Sequence, residues 1–139
     1  MKRIIFILPV FFLTTIMVYS QNPVKTENKN ETAKPGIEFT ELRHDFEKIE
    51  YNGDGSCEFE FTNNGKDLLI LSNVTSTCGC TAPKWTRAPI QPGEKGKISV
   101  KYDTRRVGPF TKSVRVYSNA TETPITLTIT GTVEKPQNQ

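Results

Sequence analysis

Apolar residues between positions 37 and 133 fall mainly at every second position, the spacing that turns one face of a β-strand inward and leaves the other wet. Ile37 and Phe39 alternate with Glu38 and Thr40, and Cys57, Phe59 and Phe61 alternate with Glu58 and Glu60. Ile98, Val100 and Tyr102 repeat the pattern against Ser99 and Lys101, as do Val114 and Val116 about Arg115. Ile125, Leu127 and Ile129 alternate with Thr126, Thr128 and Thr130, in a segment rich in the β-branched side chains that suit a pleated surface. Leu68 to Leu71 is a continuous apolar run, which predicts a central strand covered on both faces. No sustained apolar stripe of helical period occurs beyond the first twenty residues.

Turn chemistry separates these runs. Asn52-Gly53-Asp54-Gly55 and Asn63-Asn64-Gly65 supply residues that tolerate positive φ. Pro92-Gly93 places proline and glycine at the two middle positions of a type II turn. Gly108-Pro109 and Ser118-Asn119 interrupt the pattern again. Short alternating strands with turn signals between them predict an all-β fold, an antiparallel immunoglobulin-like β-sandwich.

The motifs sharpen this reading. Phe59-Glu60-Phe61-Thr62-Asn63-Asn64-Gly65 followed by Leu68-Leu69-Ile70 resembles the second and third strands of hydin-like (ASH-type) immunoglobulin domains. The series Cys78-Gly79-Cys80-Thr81, Pro83, Trp85, Ile90-Gln91-Pro92-Gly93-Glu94, Tyr102-Asp103, Gly108, Ser118-Asn119 and Ile129-Thr130-Gly131 is similar to an uncharacterised bacterial family of secreted domains of unknown function. The resemblance spans residues 37–133. It implies a sandwich of seven to nine strands and brings no established activity. Cys57 is not among the positions it carries over.

The remaining segments have other expectations. Met1-Lys2-Arg3 is a short basic stretch before the apolar run Ile4–Val18, and Ser20 precedes Gln21. Residues 1–20 thus read as a signal peptide, too short and too broken by Pro9 to span a bilayer as an anchor. Residues 21–36 hold almost no large apolar side chain and read as a flexible polar leader, and residues 134–139 as a disordered tail. The sandwich itself is expected over 37–133. Secreted or periplasmic residence follows, with no membrane span once the signal is cleaved.

Charge then narrows the partners. Without Lys2 and Arg3, 16 basic residues face 15 acidic ones, a net +1. Nothing in that balance suggests a nucleic-acid footprint. Lys97, Lys101, Lys112 and Arg115 read as the wet faces of strands.

Catalytic signatures are sparse. His44 is the single histidine, and no Gly-x-Ser-x-Gly elbow, phosphate-cradling glycine loop or His-Glu-x-x-His helix occurs. Glu58 and Glu60 lie opposite Phe59 and Phe61, where solvation accounts for them. No catalytic residue and no cofactor is assigned, and the chain reads as a non-enzyme.

The concentrated chemistry is Thr77-Cys78-Gly79-Cys80-Thr81. Three cysteines cannot all pair within one chain, so one bridge at most forms among Cys57, Cys78 and Cys80. Three uses stay open. Cys78 and Cys80 can bridge across Gly79, which suits redox exchange better than support because so short a loop gains little chain entropy. Lys84 and Arg87 would then favour the thiolate. Alternatively, the two thiolates can hold a soft ion such as Cu(I). A structural zinc site wants four ligands, more than the pair offers, and no resident metal is assigned. Finally, the pair can simply shape a loop, with one member bridged to Cys57.

Trp85 reads either as a partner anchor, together with Lys84 and Arg87, or as a cap on the open end of the core. Cys78 to Pro89 is the longest stretch without strand pattern and the expected contact surface. The sequence therefore points to a binding or assembly module of the cell envelope with a protein partner. The alternative is a thiol-redox or copper(I)-handling envelope protein using Cys78 and Cys80.

Overall fold

In a computed structural model of the chain, residues 33–136 are described. The expected signal peptide, most of the polar leader and the last three residues of the tail lie outside them. Eight strands form: β1 (Glu38–Phe39), β2 (Arg43–Ile49), β3 (Ser56–Thr62), β4 (Leu71–Ser76), β5 (Thr81–Trp85), β6 (Lys95–Tyr102), β7 (Gly108–Ser118) and β8 (Ile125–Val133). They build two four-stranded sheets, ordered β1-β3-β6-β5 and β2-β8-β7-β4.

The alternation read from the sequence is the packing. Cys57, Phe59 and Phe61 of β3 stand opposite Val100, Ile98 and Gly96 of β6, and their side chains enter the core. In the other sheet Val114 and Val116 of β7 pair with Leu127 and Ile125 of β8. Phe59, Leu69, Ile98, Val114, Leu127 and Ile129 are completely enclosed. Burial of such side chains contributes about 2 kcal/mol each, the main force holding the two sheets face to face.

Two glycines are set by this packing. A Cβ on Gly96 would collide with the Phe61 ring and stand 2.8 Å from Ile90 Cδ1. One on Gly131 would stand 2.9 Å from the Phe110 ring and 3.0 Å from Phe46 Cβ.

The chain changes sheets five times, at every connection except β5 to β6 and β7 to β8. β1 pairs with β3, and three residues later β2 joins β8 in the other sheet. β4 pairs with β7, and β5 then pairs with β6. The crossover from β4 to β5 carries the Cys78-Gly79-Cys80 segment.

Three details differ from the sequence reading. The sandwich is antiparallel except that β2 runs parallel to β8, with an irregularity between Asp45 and Lys48 where Glu47 adopts φ 55°. Leu68–Leu71 is not a central strand: Leu71 only opens β4, which is an edge strand. Leu69 and Leu71 are buried while Leu68 and Ile70 are 37% and 41% exposed. The run alternates in space although every member is apolar, and Leu69 makes a lone bridge to Ile90. Lastly, Cys78 to Pro89 is not irregular throughout, because β5 occupies Thr81–Trp85. Among the turns, Asn52 and Gly93 take the positive φ their sequences suggested, at 64° and 81°.

Candidate functional site

Four residues, Thr77 to Cys80, connect β4 to β5, and main-chain bonds fix their path. Thr77 N–H donates to the Ser113 carbonyl at 3.1 Å, and Asp103 N–H donates to the Cys80 carbonyl at 2.9 Å. The Ser76 hydroxyl lies 2.8 Å from both the Cys78 and the Thr81 carbonyl oxygens and donates between them. Thr81 is buried opposite Tyr102. The segment is thus held at both ends by β6, β7 and the residue after β6.

Within it, Cys78 and Cys80 form a disulfide with a Cα–Cα separation of 5.3 Å. This lies within the usual range for a bridge. Cys78 is half-buried, with its sulfur 3.9 Å from the Thr81 hydroxyl, while Cys80 is buried. Gly79 between them is exposed, and a Cβ built on it would meet nothing within 4 Å. Of the three possible pairings the structure has the one across a single residue. A bridged pair offers no thiolate to a soft ion, and among the described residues no group of three or more His, Cys, Asp or Glu converges to hold a metal.

Cys57 is the unbridged cysteine, buried on β3 opposite Val100. Burial pushes its thiol up to about 11, and the nearby Glu41 charge adds to the effect. Such a thiol stays protonated and inert at neutral pH.

Beside the bridge opens a cleft of about 460 Å³, lined among others by Asn52, Gly79, Cys80, Lys101, Asp103 and Arg105. Its wall is braced where the Thr104 hydroxyl donates to the Gly53 carbonyl at 2.7 Å and Asn52 N–H donates to the Thr104 carbonyl at 3.2 Å. Arg105 grips Asp103 through Nε at 2.8 Å and Nη2 at 3.2 Å. These bonds hold the Asp103 carboxyl below its ordinary range and raise the guanidinium.

The cations beside the bridge are therefore Lys101 and Arg105, on the strand next to β5 and the loop after it. The sequence reading gave that role to Lys84 and Arg87. Lys84 instead sits on the outward side of β5, near Ser56 and Ser99, and Arg87 lies over the Trp85 ring at 4.6 Å. Trp85 is half-buried and packs against the core, with its indole Nε1 enclosed and unpartnered. The indole thus covers the core beneath while presenting an Arg87-stacked face above. Lys101 was read as a wet strand position, and only the pairing of β6 with β5 brings it beside Cys80. Its neighbour Tyr102-Asp103 was a family motif, which was the available signal.

The outward glutamates have ordinary partners. Glu58 accepts from Lys97 Nζ at 2.8 Å and from the Ser99 hydroxyl at 3.2 Å, which lowers its carboxyl. His44 lies on edge strand β2, its ring edge-on to Phe46 at 4.6 Å.

Two facing sheets with these rim crossovers define a PapD-like, immunoglobulin-type sandwich. Residues 37–133 match the family described as "Protein of unknown function (DUF1573)", and the chain belongs to that family. No curated protein sequence matches it. The fold is shared with a protein of unknown function from Porphyromonas gingivalis W83, at 14% identity and a TM-score of 0.66 over 73% of this chain and 48% of that one. The chain therefore spans about half the length of that relative. It is similar also to the ASH/PapD-like domain 7 of human CEP192, at 10% identity and a TM-score of 0.63, covering 93% of this chain and 100% of that domain. A third likeness, to the Vibrio cholerae VesB protease, has 13% identity and a TM-score of 0.55 over 70% of this chain and 31% of the protease. At these identities the likeness is one of fold.

Proposed function

We propose that this chain is a non-catalytic binding or assembly module that works in the cell envelope, secreted or periplasmic after removal of residues 1–20. The observation that carries the reading is the end of β5. There Trp85, half-buried at its base, is overlaid by Arg87, with Lys84 exposed two residues before Arg87's loop begins. Tryptophan and arginine are the residue types that most often anchor protein interfaces, and an indole already fixed by packing loses little freedom on binding. The fold supports the reading too, since sandwiches bind through what their rims carry. The same fold accounts for under a third of the VesB chain, as expected of a module added to other activities. The basic and apolar pattern of residues 1–20 supports export, and a disulfide persists in the oxidising compartments that exported chains reach.

A photo-crosslinking residue placed at Lys84, compared with one at exposed Glu122, tests this in the native cell. A discrete adduct to a protein of the envelope from position 84 and none from position 122 is the expected result. Its loss in Trp85→Ala would place the indole in the contact. Equal labelling from both positions would remove the β5 end as a binding surface.

A further inference from the structure

The Cys78–Cys80 bridge has a surrounding that a supporting disulfide does not require. The crossover it sits in is already held by the Ser76 hydroxyl and by the Thr77 and Asp103 amides, none of which depends on the sulfurs. Closing a loop across one residue restricts the unfolded chain very little. The bridge therefore adds little to the fold and can open without it. Cys78 is the less buried of the two cysteines and the backbone at Gly79 is open, whereas the cleft beside the bridge is lined by Gly79 and Cys80.

We propose that Cys78–Cys80 is an exchangeable disulfide that accepts electrons from a pair of thiols on a partner protein. The first partner thiolate attacks Cys78 Sγ. The bond between Cys78 and Cys80 breaks, a mixed disulfide forms on Cys78, and the electron pair leaves on Cys80 Sγ, which takes a proton from solvent. The second partner thiolate then attacks the partner's own sulfur and expels Cys78, which is protonated in turn. The partner's two thiols have lost two electrons and two protons and become a disulfide, and the domain holds two thiols.

Lys101 and Arg105 line the cleft together with Cys80, and positive charge there favours a departing thiolate. Asp103 shares the cleft and pairs with Arg105, so the net positive charge beside Cys80 is that of Lys101. Buried Cys57 takes no part, so a mixed disulfide on Cys78 is resolved by Cys80 or by the partner. The proposal goes beyond binding at Trp85, which does not need the bridge to open.

The test titrates the full chain, purified with its bridge intact, in glutathione redox buffers. Alkylation and peptide mass give the state of each cysteine, and thermal unfolding is measured on the same samples. The bridge should open at glutathione ratios that leave ordinary structural disulfides closed. The opened protein should keep its melting temperature within about 4 °C. Cys80→Ser should trap glutathione as a mixed disulfide on Cys78 at least about tenfold faster than Cys78→Ser traps it on Cys80, because exposure governs access. A bridge that opens only when the sandwich unfolds overturns the proposal, and wild-type protein alone shows that if either variant fails to fold. Equal trapping by the two variants overturns the assigned order of attack. The crosslink from position 84 reports on the binding reading separately, since a protein reduced at Cys78–Cys80 retains Trp85 and Arg87.

Discussion

The side-chain amide of Asn63 donates to the main-chain carbonyl of Ile90 at 2.9 Å, inside the sandwich rim and 27 residues away along the chain. The same NH₂ reaches the Asp67 carbonyl at 2.8 Å, and its oxygen accepts from Gly36 N–H at 3.2 Å and Gly65 N–H at 3.0 Å. Its backbone pairs with Glu94 and Gly93. A completely buried amide thus ties together the entry to β1, the loop after β3 and the turn before β6.

Asn63→Ala should cost about 3 kcal/mol, because several buried donors and acceptors lose their partner at once. Asn63→Asp keeps the size but points a carboxylate at two carbonyl oxygens. Its stability should rise as pH falls and the carboxyl protonates, the reverse of an ordinary exposed aspartate. Urea midpoints of both variants between neutral and acid pH decide this, and a pH-independent Asn63→Asp would refute the donor assignment.

Gly96→Ala should destabilise by about 2 kcal/mol, since the added methyl meets the Phe61 ring inside a filled core. Combining it with Phe61→Leu should recover part of the loss. Full additivity in a double-mutant cycle would show that the two sites do not touch.

Cys57 should resist iodoacetamide at neutral pH in the native protein and react fully in denaturant. Its folded-state thiol lies at about 11, above an ordinary 9.0. A raised folded value contributes stability that is present below the unfolded value and is lost as pH rises through the folded one. Unfolding free energy should therefore fall between about pH 9 and pH 11. Cys57→Val, close in volume, should flatten that alkaline loss, leaving the part owed to Tyr102, whose hydroxyl burial also raises. An unchanged alkaline limb in Cys57→Val would contradict the assignment.

At the acid end the sign reverses. Asp103, Asp54 and Glu58 are lowered by hydrogen bonds from Arg105, Ser56 and Lys97 respectively. Their contribution is present above the unfolded carboxyl value and disappears as pH falls through the folded one. Asp54 and Glu58 are exposed and Asp103 is half-buried at the surface, so solvent screening keeps each contribution small. Asp103→Asn should shallow the acid limb and release Arg105 from its clamp. Stability followed by denaturant midpoint, with low and high salt compared, checks both points.

How much was legible in the sequence depended on whether a segment carries a face. Cys57, Phe59 and Phe61 each have a glutamate or threonine beside them, so the strand and its inward side could be read together. Leu68–Leu71 has no polar member, and a run without contrast does not say which side is wet. Its outward residues are settled by Asn119, whose side chain accepts from Ile70 N–H at 2.8 Å and donates to the Leu68 carbonyl at 2.9 Å. That amide stands in for a neighbouring strand from 49 residues away.

Strand β5 was hidden for a different reason, because Ala82, Pro83 and Lys84 are poor strand formers and only pairing with β6 holds them extended. At the candidate site, the weight on Cys78 and Cys80 came from local spacing. The cleft residues Lys101, Asp103 and Arg105 come from elsewhere in the chain, and no local pattern joins them to the bridge. Asn63 looked like a turn residue for the same reason, since its buried partners are supplied by distant loops.

The main-chain details of three rim strands have a shared outcome. The bend at Glu47 in β2 turns its amide onto Asp45 Oδ1 at 2.9 Å, and Asn73 Oδ1 occupies the Val74 amide of β4 at 2.9 Å. Pro83 in the middle of β5 has no amide to give. On those three edges a stranger's extended chain, or a second copy of this one, would find no unbroken ladder to zip onto. Three of the four sheet edges are thus guarded against strand-to-strand pairing with a neighbour.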